Sequence, residues 1–197
     1  MKKVFKLSLV LGVALLTMNV NASETDFSLS VKKEQGRIIN FEFCESKKLK
    51  LSIYDKDDKI IYSENVDSQY SINRAYDLKN LPEGNYLLEA ESEFKIATYQ
   101  ISVEGTMAIL TEKPTSEKFK PVFTEKEDLL KLSFLNLDKS PTFVKIYDQE
   151  YNLVYESGKL TDQNITMLFD IYNRKNENYT IVVIDNNITF TKTFDNK

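Results

Sequence analysis

Residues 48–63 read KLKLSIYDKDDKIIYS, two alternating segments on either side of a charged break. Leu49, Leu51 and Ile53 alternate with more polar residues, and this period of two predicts a half-buried β-strand. The charged residues 55–58 interrupt the pattern and residues 59–63 resume it. The stretch therefore predicts a β-hairpin, and the rest of the chain is organised around it.

The same hairpin pattern recurs at a shift of 93 residues. The identical matches are Ile53-Tyr54-Asp55 on Ile146-Tyr147-Asp148, Tyr62 on Tyr155, Ile72 on Ile165, Asp77 on Asp170, and Asn85-Tyr86 on Asn178-Tyr179. A period of this length is too long for a solenoid repeat and fits one β-sandwich domain. The sequence therefore predicts a duplicated fold.

Further strands are predicted at residues 26–31, 37–43, 71–78, 85–91 and 96–103, with turns about every ten residues. This spacing favours an all-β chain of two tandem immunoglobulin-like or fibronectin-like antiparallel β-sandwich domains. We expect the domains at residues 23–104 and 105–197, with a linker at about 105–116. The apolar residues 107–110 within that linker fit a first or last strand.

The first 22 residues have the composition of a signal peptide. Lys2, Lys3 and Lys6 precede an apolar run over residues 7–18, and small residues stand before the expected cleavage site at Ala22. The run is too short to predict a membrane span. We expect an exported protein, periplasmic, cell-surface or extracellular, with no integral membrane span.

Composition excludes several classes of function. The chain has 26 basic and 30 acidic residues, one cysteine (Cys44), no histidine and no tryptophan. Without histidine there can be no His-based catalytic triad, and most zinc sites are also excluded. An acidic balance disfavours nucleic acid as a partner. The sequence predicts a protein that is not an enzyme, has no catalytic residues and binds no cofactor.

Asp55, Asp57 and Asp58 resemble the start of a calcium-binding loop. An EF-hand needs glycine at its sixth position and glutamate at its twelfth, where this chain has Ile60 and Val66. We therefore interpret the three aspartates as a charged hairpin tip and predict no metal site.

The turn motif at residues 81–86, LPEGNY, has a structural interpretation. Pro82 fixes φ and Gly84 tolerates positive φ, so together they predict a tight turn. Tyr86 then enters the next strand in the manner of a sandwich's tyrosine corner. Tyr179 is its counterpart in the second copy, which lacks the proline and the glycine.

The segments LSIYD at residues 51–55, KIIY at 59–62, YDL at 76–78 and LPEGNY at 81–86 resemble the C-terminal sorting domains of the Bacteroidota type IX secretion system. Related immunoglobulin-like modules of secreted proteins in that phylum are similar. The resemblance implies a small β-sandwich involved in transport through the outer membrane. In this chain the better match lies in the first domain, whereas a sorting signal belongs at the C-terminus.

Three functions stay open at the level of sequence. The first is an exported, non-catalytic protein that acts by contact with a protein or a surface in the cell envelope or outside the cell. The second is type IX secretion cargo, or a degenerate sorting module. The third is a secreted hydrolase inhibitor. The sequence specifies neither the partner nor the oligomeric state.

Overall fold

The computed structural model describes residues 26–32, 36–44, 48–126, 129–170 and 178–194. The predicted signal peptide, residues 1–22, lies outside this part of the chain. The described residues divide into two compact units, an N-terminal unit of residues 26–118 and a C-terminal unit of residues 119–194. All sixteen elements assigned in them are β-strands, and every ladder with a printed register is antiparallel. The predicted all-β class is confirmed.

The N-terminal unit contains two sheets. The first has three strands in the order β1-β2-β5, with β1 at Ser28–Val31, β2 at Ile38–Cys44 and β5 at Ile72–Asp77. The second has the order β4-β3-β6-β7-β8, and β9 pairs with β7 as its sixth strand. Its bounds are Lys48–Tyr54 for β3, Ile60–Asp67 for β4, Gly84–Glu91 for β6, Lys95–Glu104 for β7, Met107–Leu110 for β8 and Ser116–Phe119 for β9.

Aromatic side chains fill the core of the N-terminal unit. Alternate residues of β2 point inward, and Phe41 and Phe43 are completely buried. The Phe43 ring makes edge-on contacts with Phe27 at 5.4 Å, with Phe41 at 5.6 Å and with Tyr99 at 6.0 Å between centroids. Because buried aromatic rings remove large apolar areas from water, this cluster contributes strongly to the unit's stability.

The C-terminal unit also contains two sheets. One has the order β10-β11-β14, and the other has the order β13-β12-β15-β16. The bounds are Val122–Lys126 for β10, Leu129–Leu135 for β11, Thr142–Tyr147 for β12, Leu153–Glu156 for β13, Asn164–Asp170 for β14, Tyr179–Asp185 for β15 and Ile188–Phe194 for β16. Leu132, Val144, Ile181 and Val183 are fully buried between these strands.

A buried polar network lies beside that apolar core. Asn136, at the end of β11, donates from Nδ2 to the Ser140 carbonyl at 2.8 Å and accepts from the Ser140 N–H at 3.0 Å. The Ser140 hydroxyl donates to the Asp185 carboxylate, and Thr142 lies within hydrogen-bonding distance of both Asn136 and Asp185. Asn136, Thr142 and Asp185 are buried. Their hydrogen bonds compensate the loss of water that burial imposes.

The predicted linker at residues 105–116 is placed differently in the structure. Gly105, with φ of 51°, lies in the turn between β7 and β8, and β8 pairs with β7. Ala108 and Leu110 are buried because alternate residues of this apolar run face the core. Residues 105–118 therefore belong to the N-terminal unit. Among the described residues, no helix has the length and apolar character needed to span a bilayer.

Candidate interaction surface

Two hairpins 93 residues apart have the same backbone path. In the first, Asp55 Oδ1 accepts from the Asp57 N–H at 2.9 Å and from the Lys59 N–H at 3.0 Å. In the second, Asp148 Oδ1 accepts from the Glu150 N–H at 2.9 Å and from the Asn152 N–H at 2.8 Å. The fourth residue of each turn has positive φ, 58° at Asp58 and 61° at Tyr151. One aspartate therefore closes each hairpin by the mechanism of an Asx turn.

The aspartates of the first tip do not converge on a common point. Asp55 is occupied by backbone N–H groups, and these hydrogen bonds, first from Lys59 and then from Asp57, hold its pKa below the ordinary value. Asp57 forms an ion pair with Lys56 at 2.7 Å. In the part of the chain that the structure describes, no group of three or more acidic, cysteine or histidine side chains could hold a metal ion.

Calcium should therefore leave the protein's stability unchanged. A ligand that binds only the folded state stabilises it by an amount that grows with the logarithm of ligand concentration above the Kd, and so raises Tm. We expect equal thermal midpoints with calcium and with a chelator, measured by circular dichroism. A calcium-dependent rise in Tm that the Asp55→Asn substitution abolished would contradict this prediction.

Apolar side chains are exposed on the strand that follows each hairpin. β4 ends the order of the six-stranded sheet, and β13 ends the order of its four-stranded counterpart. Ile60, Ile61 and Tyr62 form the β4 edge, and Leu153 and Val154 form the β13 edge. Their exposed fractions lie between 37% and 49%. Exposed apolar residues on a terminal strand favour pairing with another chain.

An aromatic pair fixes each of these strands to the opposite sheet of its unit. The Tyr62 ring packs edge-on against Tyr76 with centroids 5.2 Å apart. Tyr155, 93 residues after Tyr62, packs in the same way against Phe169 at 5.8 Å. Both strands also carry a register irregularity at the same place in their pairing with the preceding strand, at Ile53/Tyr54 and at Ile146/Tyr147. The two edges are thus held by equivalent contacts.

Glu64 makes a second connection in the N-terminal unit only. It accepts from the Tyr76 hydroxyl at 2.6 Å and forms an ion pair with Arg74 Nε at 2.9 Å. Burial opposes ionisation of Glu64, but the hydrogen bonds from Tyr76 and Arg74 and the charge of Arg74 hold its pKa below the ordinary value. Burial, followed by the bond to Glu64, raises the pKa of Tyr76 well above its ordinary value.

The low pKa of Glu64 gives a prediction for acid stability. A carboxyl group whose pKa is lower in the folded state stabilises the fold at pH values above its unfolded pKa, and this contribution is lost as pH falls through the folded pKa. We expect Glu64→Gln to reduce the free energy of unfolding by about 1–2 kcal/mol at pH 7. The difference from wild type should shrink below about pH 4.

Urea unfolding at several pH values measures that difference. Glu93→Gln, at an exposed position, is the matched control and should leave the acid dependence of stability unchanged. A difference between wild type and Glu64→Gln that stays constant down to pH 3 would refute the role of the ionised carboxylate.

The LPEGNY turn has the geometry of a tyrosine corner. The Tyr86 hydroxyl donates to the Pro82 carbonyl at 2.9 Å, and Gly84 has φ of 148°, a conformation that other residues rarely adopt. Tyr86 is the third residue of β6 and is buried. Tyr179, its counterpart, is half-buried and packs against the core of the C-terminal unit.

Removing the Tyr86 hydroxyl tests this corner. Tyr86→Phe keeps the ring in the core but leaves the Pro82 carbonyl without its donor, so we expect a loss of about 1 kcal/mol in the free energy of unfolding. Tyr70→Phe is the control, because Tyr70 is 85% exposed and should tolerate the same change. Equal stability of Tyr86→Phe and wild type in urea unfolding would contradict the assignment.

Arg37 forms hydrogen bonds to the turns at one end of the N-terminal unit. Its guanidinium donates to the Gly105 carbonyl at 2.9 and 2.6 Å, to the Leu81 carbonyl at 2.8 Å and to the Lys79 carbonyl at 3.3 Å. Glu83 lies 3.7 Å from the same guanidinium and accepts from the Gly105 N–H at 3.1 Å. The planar fork of arginine suits this multiple recognition of carbonyl groups.

Arg37 and its partners Lys79, Leu81 and Glu83 lie within a match to a known family. Residues 33–104 match the secretion system C-terminal sorting domain. The sorting-domain region covers β2 to β7, including the hairpin, the β4 edge and the tyrosine corner. The resemblance identified from the sequence is confirmed for this region. The match fits a secreted or cell-surface protein related to type IX secretion.

Similarity to solved structures is weak. A structure titled "Biofilm associated protein - BSP domain" matches with 13% identity and a TM-score of 0.27, over 84% of this chain and 30% of that one. The apo structure of Bacteroides uniformis beta-glucuronidase 3 matches with 8% identity and a TM-score of 0.23, over 87% and 25%. The chain thus spans less than a third of either protein. No curated protein matches the sequence.

Sequence reasoning missed Arg37 and Glu64. Both are charged residues on predicted strands, where the ordinary interpretation is a solvated side chain. A signal for them exists in the repeat, because the residues 93 positions later are Leu130 and Ser157. The difference alone does not identify a contact, because the exposed Asp58 also has an uncharged counterpart, Tyr151.

Proposed function

We propose that the protein is an exported, non-catalytic pair of tandem immunoglobulin-like domains that acts by contact in the cell envelope or outside the cell. The observation that supports this proposal best is the recurrence of exposed apolar residues on β4 and β13, at the same place relative to the hairpin in both units. A terminal strand with an apolar margin suits binding by strand addition.

The β4 and β13 edges have the features that such binding requires. The Tyr62–Tyr76 and Tyr155–Phe169 contacts hold each strand in place before a partner arrives. A preformed edge loses little conformational entropy on binding, so more of the interaction energy remains as affinity. The hairpin tips stand beside these edges and differ in sequence between the units, which allows them to contribute specificity.

Binding to intact cells and envelope fractions of the producing organism tests this function. We expect the wild-type protein to be retained and the Ile61→Lys/Val154→Lys double variant to lose retention about tenfold or more. The control is Leu129→Lys, because Leu129 is also an exposed apolar residue of a strand but lies on β11, between β10 and β14. Equal retention of the double variant and wild type, or no retention of the wild type at any salt concentration, would refute the proposal.

The family match supports a second candidate function, type IX secretion cargo. The match lies at residues 33–104, inside the N-terminal unit. Locating the full chain in strains with and without a working type IX system tests the idea. Accumulation in the periplasm of the deficient strain is the expected result, and an unchanged location would exclude it.

A further inference from the structure

The sheets of the two units differ at one edge. β16 begins 93 residues after β7, and each strand pairs with the equivalent neighbour, β15 and β6. In the N-terminal unit, β8 pairs antiparallel with β7 and continues the sheet. In the C-terminal unit, β16 is the last strand in the order that the described residues form. The edge that β8 covers in one unit is therefore the end of the sheet in the other.

We propose that β16 pairs antiparallel with β4 of a second copy of this chain, with Phe194 opposite Tyr62 and Thr189 opposite Asp67. This inference rests on the proposed function, because it names the partner of the β4 edge. β4 is likewise the last strand of its sheet, and six of its eight residues are exposed. The register irregularity of β4 precedes Tyr62, so the segment from Tyr62 to Asp67 alternates regularly, as β16 does.

Both strands present their core-facing residues on the same side of the joined sheet. β13 and β16 run antiparallel at opposite ends of the four-stranded sheet, and β4 is the equivalent of β13. Antiparallel pairing of β16 with β4 therefore keeps the two core faces together. The core-facing residues, which lie opposite buried or partly buried core residues of β3 or β15, are Tyr62, Glu64 and Val66 on β4 and Phe190, Lys192 and Phe194 on β16.

In this register each residue lies opposite a compatible partner. Glu64 lies opposite Lys192, so opposite charges meet. The other core-facing pairs are Tyr62 with Phe194 and Val66 with Phe190, and the outward pairs are Ser63 with Thr193, Asn65 with Thr191, and Asp67 with Thr189. Aromatic pairs, hydroxyl pairs and opposite charges each stabilise directly opposite positions of an antiparallel pair.

The charges identify β16 as the partner. Tyr76 and Arg74 both bind Oε1 of Glu64, and an ionised carboxylate has about four acceptor positions, so it can also accept from Lys192. A core-facing lysine on a terminal strand opposes pairing with most other strands. Opposite Glu64 the same lysine favours pairing, and β13, the other terminal strand of that sheet, has no cation.

Other registers lose this complementarity. A shift of one residue would place core-facing side chains opposite outward-facing ones. A shift of two residues keeps the faces together but places Glu64 opposite Phe190 or Phe194, and Lys192 opposite Tyr62 or Val66. Both shifts separate the two opposite charges. The sequence of the strands thus specifies a second copy in one register.

The pairing joins different edges of the two copies, so it is heterologous. A copy that binds through β4 still has its own β16 edge, and association continues beyond a dimer. Such contacts produce a ring where the rotation between copies closes and a filament where it does not. We therefore expect wild-type protein to form species larger than a dimer as its concentration rises, measured by sedimentation velocity.

Disulfide trapping tests the register in the full chain, expressed with residues 1–22 and purified from the exported fraction. Ser63→Cys and Thr193→Cys, each in a Cys44→Ser background, are mixed in equal amounts and oxidised mildly. Opposite Cα atoms lie about 4.5–5.5 Å apart, a separation that a disulfide spans. We expect a covalent heterodimer, identified by its intact mass.

Thr189→Cys is the matched control for Thr193→Cys. It replaces the same residue type on the same face of β16, where both threonines are exposed. Its thiol lies about 13 Å farther along the strand from the position opposite Ser63. Mixed with the Ser63→Cys variant, it should give little heterodimer.

A charge cycle tests the pair without a cross-link. Lys192→Gln should weaken association about fivefold in the wild-type background and have no further effect in a Glu64→Gln background. Lys131→Gln is the control, because Lys131 is an exposed lysine of β11, which lies between β10 and β14. It should leave association unchanged in both backgrounds.

Three results would overturn the inference: a wild-type chain that stays monomeric at about 1 mM, heterodimer yields that are equal for Thr193→Cys and Thr189→Cys, or an effect of Lys192→Gln that is the same in both backgrounds. Failure here differs from failure of the proposed function. A strictly monomeric chain that binds envelope fractions through Ile61 refutes the second copy as partner and leaves the contact function standing.

Discussion

Replacing Phe43 with alanine should reduce the free energy of unfolding of the N-terminal unit by about 3–5 kcal/mol. Phe43 is completely inaccessible to solvent and contacts three other aromatic rings, from Phe27, Phe41 and Tyr99. Truncation removes its burial and leaves a cavity whose walls come from both sheets. Rings on two sheets cannot all move inward at once, so the cavity will collapse only in part.

Urea unfolding with hydrogen exchange read by mass spectrometry measures this loss and assigns it to a unit. Peptides from β2, β5 and β7 should exchange faster, while peptides from β12 and β15 change less. Ile109→Ala is the control, since Ile109 is 50% exposed on β8 and the same truncation should cost little. A loss below about 1 kcal/mol for Phe43→Ala would show that the core is not organised around this ring.

The second large effect is expected at Asn136, which stands 93 residues after Phe43. Asn136→Leu should destabilise the C-terminal unit by about 2–4 kcal/mol, although leucine is apolar and the site is buried. The substitution removes the partners of the Ser140 N–H and carbonyl and of the Thr142 hydroxyl. Buried groups that lose their hydrogen bonds without regaining water account for the cost.

Leu137→Ala is the matched control for this substitution, because Leu137 is the next residue and is 43% exposed. Its effect should stay within about 0.5 kcal/mol. Ser140→Ala should fall between the two, since it removes the bond from the Ser140 hydroxyl to Asp185 and keeps the backbone bonds to Asn136. An Asn136→Leu variant as stable as wild type would contradict the structural role of the network.

The strands could be predicted from the sequence because side-chain period reports directly which residues of a strand face a core. The sequence predicts strands at residues 37–43 and 71–78, and β2 and β5 lie at Ile38–Cys44 and Ile72–Asp77. The Asp55 hairpin could be predicted equally well, since charged residues between two alternating runs favour a turn. Such information is local, and local patterns determine secondary structure well.

The polar network of the C-terminal unit could not be predicted in the same way. Asn136 reads as a turn residue, and its partners come from separate parts of the chain. Ser140 and Asp185 are 45 residues apart. Only the packing of β15 beside β12 brings the carboxylate to the turn. A buried polar group is favourable only when its partners converge, and convergence is a property of the tertiary structure.

The exposed edges were also beyond sequence reasoning, for a different reason. Alternation predicts the inward face of β4 but does not reveal that β4 is the last strand of its sheet. Strand order also determines which unit contains the predicted linker. Residues 107–110 were recognised as a possible strand, yet their pairing with β7 placed the whole segment in the N-terminal unit. The tyrosine corner could be predicted from the sequence because proline, glycine and tyrosine fix its geometry within a few residues.

The aspartate that closes each hairpin fixes the backbone path of the tip, whatever the other residues of the tip are. Asp55 and Asp148 set the path of the backbone, and the residues between them and the next strand project outward from that path. We therefore expect substitutions at residues 56 and 57 in one tip, or at 149 and 150 in the other, to leave the backbone path of the hairpin unchanged. Natural variation or a grafted library can diversify these positions while the sandwich beneath stays constant, as in other scaffolds that present loops for recognition.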